Sequence, residues 1–330
     1  MKGANTLNNI IEAIRSSKKS LVLAHQNPDG DTLGSMLALG VMLKKSGHAA
    51  DHVISDPVPE IYKFLPYAEL VKLPTDKDLQ KNYDLAFSLD CGSLKRLGIA
   101  KDLWLKAATT VNIDHHISNE NFGKINWIEA HATSTGQVVF WLGEKLNIKI
   151  TKEIATLLYT TLLTDTSCFA NSNTNADALV WGAELIKLGA EHETVYRKVF
   201  LEKPLKAIKL FGIALNNLTV LEEGEIIWTY VTKDAMDKLN ATNEDTEDIV
   251  DYVKRTKGAK VAVFFREEKN ETKVSLRSNL DFDVSKIAVS MGGGGHKRAS
   301  GINIKLPLKE ACDEILKKVK EELKVYNGRG

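Results

Sequence analysis

The chain has 330 residues, enough for two ordinary domains, and its 43% hydrophobic and 26% charged residues are those of a globular protein. A net charge of only +1 argues against the strongly basic surface needed to track a long duplex, and favours a small or short anionic ligand held locally. Cys91, Cys168 and Cys312 are far apart, odd in number and form no Cys-x-x-Cys, which argues against a disulfide framework or a thiolate zinc site. Met1–Ser20 lacks an apolar signal core and no run reaches membrane-spanning length, so the expected location is the cytoplasm.

Leu7, Ile10, Ile11 and Ile14 recur at helical spacing. Leu21 to Ala24 reads as a buried strand ending at His25. The turn dipeptides Asn27-Pro28 and Asp29-Gly30 then lead into a helix reaching about Ser46. His48–Ile54 can form a second strand, and Pro57, Pro59, Pro66 and Pro74 mark loops with short helical pieces. Leu85–Leu89 is a strand ending at Asp90, with a short helix near Leu94, and Thr109–Ile113 is a strand ending at Asp114-His115-His116. Ser134-x-x-Gln137 is a capping-box signature for a helix through Leu146. Further helices cover Lys152–Leu163, which delivers Asp165, and Asp177–Leu188.

This alternation predicts an α/β chain: an N-terminal domain built on an open, mainly parallel sheet with flanking helices, its ligands beyond the carboxyl ends of the strands. Gly189–Lys203 is charged and contains no strand, so it reads as a connection. Pro204 opens a helix to about Leu218, and the rest reads as a smaller C-terminal α/β domain. Its strands are Ile226–Val231, Lys260–Arg266, Thr272–Ser278 and Ile302–Lys305, with helices near Ile249–Lys254, Val284–Ser290 and Leu308–Tyr326. The expected division is a first domain over 1–188, a linker over 189–206 and a second domain over 207–330.

His25, Asp29 and Asp31 crowd one strand-to-helix turn, which is costly unless a cation neutralises them. Asp and Asn also cap helices, so this stretch alone does not decide. An EF-hand is excluded: a frame starting at Asn27 puts Thr32 where Gly must be and Ala38 where the bidentate Glu must be. The weight comes from three strands that end on His25, Asp90 and Asp114-His115-His116. The candidate ligands are His25, Asp29, Asp31, Asp90, His115 and Asp165. Four carboxylates balance two divalent ions rather than one, and an oxygen-rich set suits Mn²⁺ or Mg²⁺ better than zinc. Two such ions clamp the oxygens of a phosphoryl transfer and activate water, so no Ser-His-Asp arrangement is needed. On extended backbone His115 and His116 face opposite ways; one binds metal while the other faces substrate or Asp114.

A second motif is Gly292-Gly293-Gly294-Gly295-His296-Lys297-Arg298. It is not a Walker loop, because His296 stands between Gly295 and Lys297 and a helix, not a strand, precedes it. Its glycines let backbone N–H groups approach an anion, although a flexible loop has the same composition. Arg277 ends a predicted strand, either to grip a phosphate bidentately or as a surface charge.

His25-x3-Asp29-x-Asp31, Asp90, Asp114-His115-His116 and Asp165 together resemble the DHH phosphoesterase superfamily, and Gly293-Gly294-Gly295-His296 resembles the signature of the DHH-associated domain. The motifs span residues 25 to 296. The chain is most similar to the oligoribonuclease and pAp-phosphatase type, and also resembles stand-alone phosphodiesterases of cyclic di-AMP or pApA. The resemblance implies hydrolysis of short oligonucleotides to 5′-mononucleotides, of pAp to AMP, or of cyclic di-AMP. It implies that His25, Asp29 and Asp90 hold one ion and Asp31, Asp90, His115 and Asp165 the other, usually Mn²⁺, with Mg²⁺ or Co²⁺ as alternatives. His116, beside Asp114, would then act on the scissile phosphate or leaving group. Arg277, Gly293, Gly294, Gly295 and His296 would grip a terminal phosphate or base. The resemblance also implies a homodimer, with the active site in a cleft between the domains; the charge and the lack of a long apolar run set aside a long duplex or a membrane as partner. Two other readings remain. One is an inorganic pyrophosphatase of the same superfamily, although the basic motif of its second domain is not seen. The other is a nonenzymatic nucleotide-binding regulator.

Overall fold

The computed structural model describes residues 2–80, 82–279 and 281–328, and the chain divides into two compact units, Met1–Glu202 and Lys203–Gly330. The first unit runs α1 (Lys2–Ser16), β1 (Lys19–Ala24), α2 (Gly30–Lys45), β2 (Ala49–Val53), β3 (Val71–Lys72), β4 (Leu85–Leu89), α3 (Lys101–Lys106), β5 (Thr109–Asp114), β6 (Ile125–Ile128), α4 (Thr135–Lys145), α5 (Lys152–Asp165), α6 (Ala176–Lys187) and α7 (His192–Tyr196). Its six strands pair in the order β3-β2-β1-β4-β5-β6, all parallel. Strand order reverses between β1 and β4, and ligands collect at such a switch point in open α/β sheets. Ala24 pairs with Leu89 and Leu89 with Ile113, so His25, Asp90 and Asp114 leave the sheet on one rung.

Both faces of this sheet are covered. Val22 and Ala24 face a core with Leu33, Met36, Leu157 and Leu162 of α2 and α5, while Leu21 and Leu23 face another with Leu97 and Trp104. Every residue of α2 from Gly30 to Leu43 is buried, because the sheet, α4 and α5 pack around it. This places Asp31 inside the protein rather than on a surface turn.

The strands and helices read from the sequence are present within a few residues. The reading passed over β3 and β6, edge strands of two and four residues in this unit, and in the second unit the edge strands at Thr219–Leu221 and Gly294–His296. The segment expected as a linker is instead helical over His192–Leu201, and it buries Val195 and Val199 in the first unit's core. The division between units falls at Glu202–Lys203.

The second unit runs α8 (Leu205–Asn216), β7 (Thr219–Leu221), β8 (Ile226–Val231), α9 (Lys233–Lys238), α10 (Ile249–Val253), β9 (Val261–Glu267), β10 (Thr272–Ser278), α11 (Val284–Ser290), β11 (Gly294–His296), β12 (Ala299–Ile304) and α12 (Leu308–Asn327). The sheet order is β11-β12-β10-β9-β8-β7, parallel only between β8 and β9. One face packs Val263, Phe265 and Leu276 against α11 and α12, and the other packs Ala262 and Phe264 against α8 and α10.

Candidate metal centre

The six residues singled out as ligands converge beyond β1, β4 and β5. Their ligand atoms fall into groups within 4.8 Å of one another: His25, Asp29 and Asp90; Asp31, His115 and Asp165; and Asp90, Asp114, His115 and His116. Asp29 is the exposed N-cap of α2 and accepts from the Thr32 N–H at 2.9 Å. Asp31 is 1% exposed, and its oxygens accept from the N–H groups of Thr135 at 2.8 Å and Gly136 at 3.0 Å and from Ser35 Oγ at 3.0 Å. Those N–H groups open α4, so Asp31 caps that helix from a distance and meets the positive end of its dipole.

The capping box expected at Ser134 takes a different form. Helix α4 does start at Thr135, but Ser134 Oγ pairs with Thr161 Oγ1 at 3.1 Å and Gln137 accepts from the Thr133 N–H at 2.8 Å. The Gln137 N–H that a capping box would serve donates to the Ser134 carbonyl at 3.1 Å, and Asp31 takes the two N–H groups before it, those of Thr135 and Gly136.

Asp90 is buried and left-handed, with φ +53°, a conformation Asp tolerates better than most residues. Its Oδ2 accepts from Thr32 Oγ1 at 2.7 Å and its Oδ1 from Thr135 Oγ1 at 3.1 Å. Burial works against its ionisation, yet His25, at 3.5 Å, and then His116 and His115 hold it at about 2. Asp165 is pushed up to about 6 by burial, with Asp90 and Asp29 adding to the effect and His115 opposing it. Burial, then Asp90, Asp165 and Asp29, raise Asp31 well above the ordinary carboxylate range.

Asp114 is fully buried. Its Oδ1 accepts from the N–H groups of His115 and His116 and, at 2.7 Å, from His116 Nδ1, while Asn119 donates to Oδ2. It therefore orients His116, whose side chain is 40% exposed and whose imidazole is raised to about 9, chiefly by the Asp114 hydrogen bond.

The donor set fits divalent cations. His115 Nδ1 donates to the Ala132 carbonyl at 3.3 Å, leaving Nε2 as a lone pair. Nε2 is buried without a hydrogen bond, 3.7, 3.8 and 3.9 Å from carboxylate oxygens of Asp31, Asp90 and Asp165. Such gaps are too long for hydrogen bonds and suit ligands that share an ion at about 2.0–2.2 Å from each. His25 repeats the pattern: Nδ1 bonds the Gln26 carbonyl at 2.7 Å, and Nε2 meets Thr32 Oγ1 at 2.6 Å. The single Thr32 proton cannot serve both this nitrogen and Asp90.

In the second unit Arg277 lies on β10 opposite Ala299 of β12, which lies opposite His296 of β11. Cross-strand partners share a face, so Arg277 and His296 flank one small residue. Arg277 Nε donates to both oxygens of Asp251, at 3.1 and 3.2 Å, and its side chain lines a cavity of about 410 Å³ with Arg266, Lys273 and Ser275. Two of the glycines have a packing reason. A Cβ on Gly293 would lie 2.2 Å from the Gly301 carbonyl, and Gly295, at φ +139°, would bring one within 2.6 Å of Ala299 O. Gly294 faces open space.

The DHH family N-terminal domain matches residues 19–162, and the DHHA1 domain matches residues 224–325. A relative named bifunctional oligoribonuclease and PAP phosphatase NrnA, from Thermus thermophilus, is 32% identical over 95% of this chain and 93% of its own length. The chain belongs to the DHH phosphoesterase family. A Bacillus subtilis protein of the same name is 25% identical to this DHH phosphoesterase over 85% of this chain and 87% of its own. The crystal structure of an exopolyphosphatase-related protein from Bacteroides fragilis covers 98% of this chain and 96% of that one, with TM-score 0.88 and 26% identity.

Sequence reading missed the residues that hold the candidate ligands in this DHH phosphoesterase. Thr32 and Ser35 lay inside the first motif, Ser35 one helical turn beyond Asp31, and that spacing was available. Asn173, which donates to Asp165 Oδ2 at 2.6 Å, carried no local signal.

Proposed function

We propose that this DHH phosphoesterase is a two-metal, Mn²⁺-dependent hydrolase that releases 5′-mononucleotides from very short oligoribonucleotides and converts pAp to AMP, a reading that extends to pApA and cyclic di-AMP. The names of the relatives support the substrate class. The observation that carries the reading is His115 Nε2, buried and unpartnered among three carboxylates. His25, Asp29 and Asp90 would hold one ion and Asp31, Asp90, His115 and Asp165 the other, with Asp90 shared. Bound there, the ions would polarise the phosphoryl oxygens and lower the pKa of water. The oxygen-rich donor set favours Mn²⁺ or Mg²⁺.

The chain's own residues position and discriminate. Thr32 and Thr135 fix the two oxygens of Asp90, and the first turn of α4 fixes Asp31. His116, held at Nδ1 by Asp114, presents Nε2 to the scissile phosphate or gives a proton to the leaving oxygen. Arg277 and His296, on one face, take a terminal phosphate or base, with Gly294 as the open backbone position beside them.

The test is a substrate panel of pAp, pApA, cyclic di-AMP, short RNAs and pyrophosphate, with Mn²⁺, Mg²⁺ or Co²⁺, read by product chromatography. AMP from pAp and mononucleotides from dinucleotides are expected. Intact pAp and dinucleotides would overturn the reading, and phosphate from pyrophosphate alone would select a pyrophosphatase.

A further inference from the structure

After β4 the chain forms a short 3-10 segment, Leu94–Ala100, tied down at several points beside the cluster. The Arg96 carbonyl accepts from the N–H of Gln26, next to His25, at 2.8 Å, and the Arg96 N–H donates to the Ser93 carbonyl at 3.1 Å. Ser55 Oγ donates to the Leu97 carbonyl at 2.6 Å and accepts from the Ala100 N–H at 3.1 Å. Gly98 is left-handed at φ +57°, and a Cβ there would lie 2.7 Å from Ser55 Oγ and 3.0 Å from Gln26 Oε1.

All of these anchors hold backbone. The side chain they present, Arg96, is exposed and makes no hydrogen bond or ion pair with any described residue. Its positive charge is nevertheless felt at His116 and at Cys91, the neighbour of Asp90. The backbone that carries this unpaired guanidinium is thus held beside a cluster rich in carboxylates.

The charge balance says what it awaits. Two dications and the His116 imidazolium would balance Asp29, Asp31, Asp90, Asp114 and Asp165, so the negative charge of an arriving phosphoester is left without a partner. A guanidinium offers that phosphate a planar, bidentate donor pair that needs no proton transfer. Resting on the phosphoesterase reading above, we propose that Arg96 is a substrate-binding residue of the first unit that grips non-bridging oxygens of the phosphoryl group at the metal centre. The ligand class is a nucleoside 5′-phosphate or the phosphoester that yields one.

The experiment uses the full-length protein as wild type, Arg96→Ala and Arg96→Gln, with Asp90→Ala as a separate control. Calorimetry with Mn²⁺ alone comes first, then AMP added to the Mn²⁺-loaded protein, then steady-state hydrolysis of pAp. Mn²⁺ affinity is expected to stay within twofold, because the guanidinium contacts no ligand side chain. AMP should bind at least tenfold more weakly to both Arg96 variants, and KM for pAp should rise by a similar factor with a smaller change in kcat. Arg96→Gln keeps most of the side-chain stem, so it decides the matter if Arg96→Ala fails to fold. AMP affinity within twofold of wild type in a folded Arg96 variant overturns the assignment, as does loss of Mn²⁺ binding in both. A wild type inactive on every phosphoester of the panel would sink the phosphoesterase reading instead, and AMP binding would still decide Arg96.

Discussion

Asp31 joins two functions in one carboxylate. It faces His115 and Asp165, and it caps α4 through two backbone N–H groups. Asp90 has no such second duty, so Asp90→Ala should leave a folded protein that loses activity on pAp by at least about a thousandfold and loses tight Mn²⁺ binding. Circular dichroism and Mn²⁺ calorimetry check the two halves of that expectation. Asp165 depends on Asn173, which holds its Oδ2 and also reaches the Thr133 carbonyl. On the two-metal reading proposed above, Asn173→Ala should weaken the Mn²⁺ site that Asp165 would share by about tenfold while sparing the other. A biphasic titration with only the weaker phase shifted is the expected result. At this scale the convergence of the cluster was legible wherever a candidate ligand ended a strand, as His25, Asp90 and His115 do. Asn173 was not legible, because it reaches Asp165 through a turn in which Ser167, Cys168 and Phe169 are all left-handed, with φ of 46°, 57° and 66°. None of the three is glycine, so composition gives no hint of that turn.

Among the elements, α4 and the β11–β12 hairpin show where pattern reading stops. Ser134-x-x-Gln137 correctly marked the start of α4, since any good cap residue marks a boundary. The partner that satisfies the helix lies 104 residues upstream of Thr135, and local spacing cannot reveal it. The glycine run was read for backbone approach to an anion, and two of its glycines are explained by strand packing instead. This separates the two roles by mutation. Gly295→Ala should destabilise the protein by about 1–3 kcal/mol, because it combines a left-handed φ with a contact to β12 backbone. Gly294→Ala should leave the melting temperature unchanged, so any loss of substrate affinity there reports the ligand directly. Strands β3 and β6 escaped the reading because a few residues on a sheet edge carry too little alternation to register.

For the molecule as a whole, each unit closes cores on both faces of its own sheet. Lys203–Gly330 expressed alone is therefore expected to melt cooperatively with native-like circular dichroism. The stability of the chain should also depend on pH through a group outside the cluster. His52 is buried with an unpartnered Nε2, and burial lowers its pKa from 6.5 to about 4. Between those values the unfolded chain binds a proton that the folded chain does not, so stability rises with pH there and is lost as pH falls through the window. The loss is at most about 3 kcal/mol, and His52→Val should remove that part of the slope in denaturant melts.

The rung that aligns His25, Asp90 and Asp114 has one further consequence. Side chains alternate along a strand, so a slip of one residue between β1, β4 and β5 would turn the donors away from one another. On the proposed metal reading, ion uptake would then gauge correct strand pairing, and a misaligned chain would betray itself by failing to capture metal well before any substrate is offered.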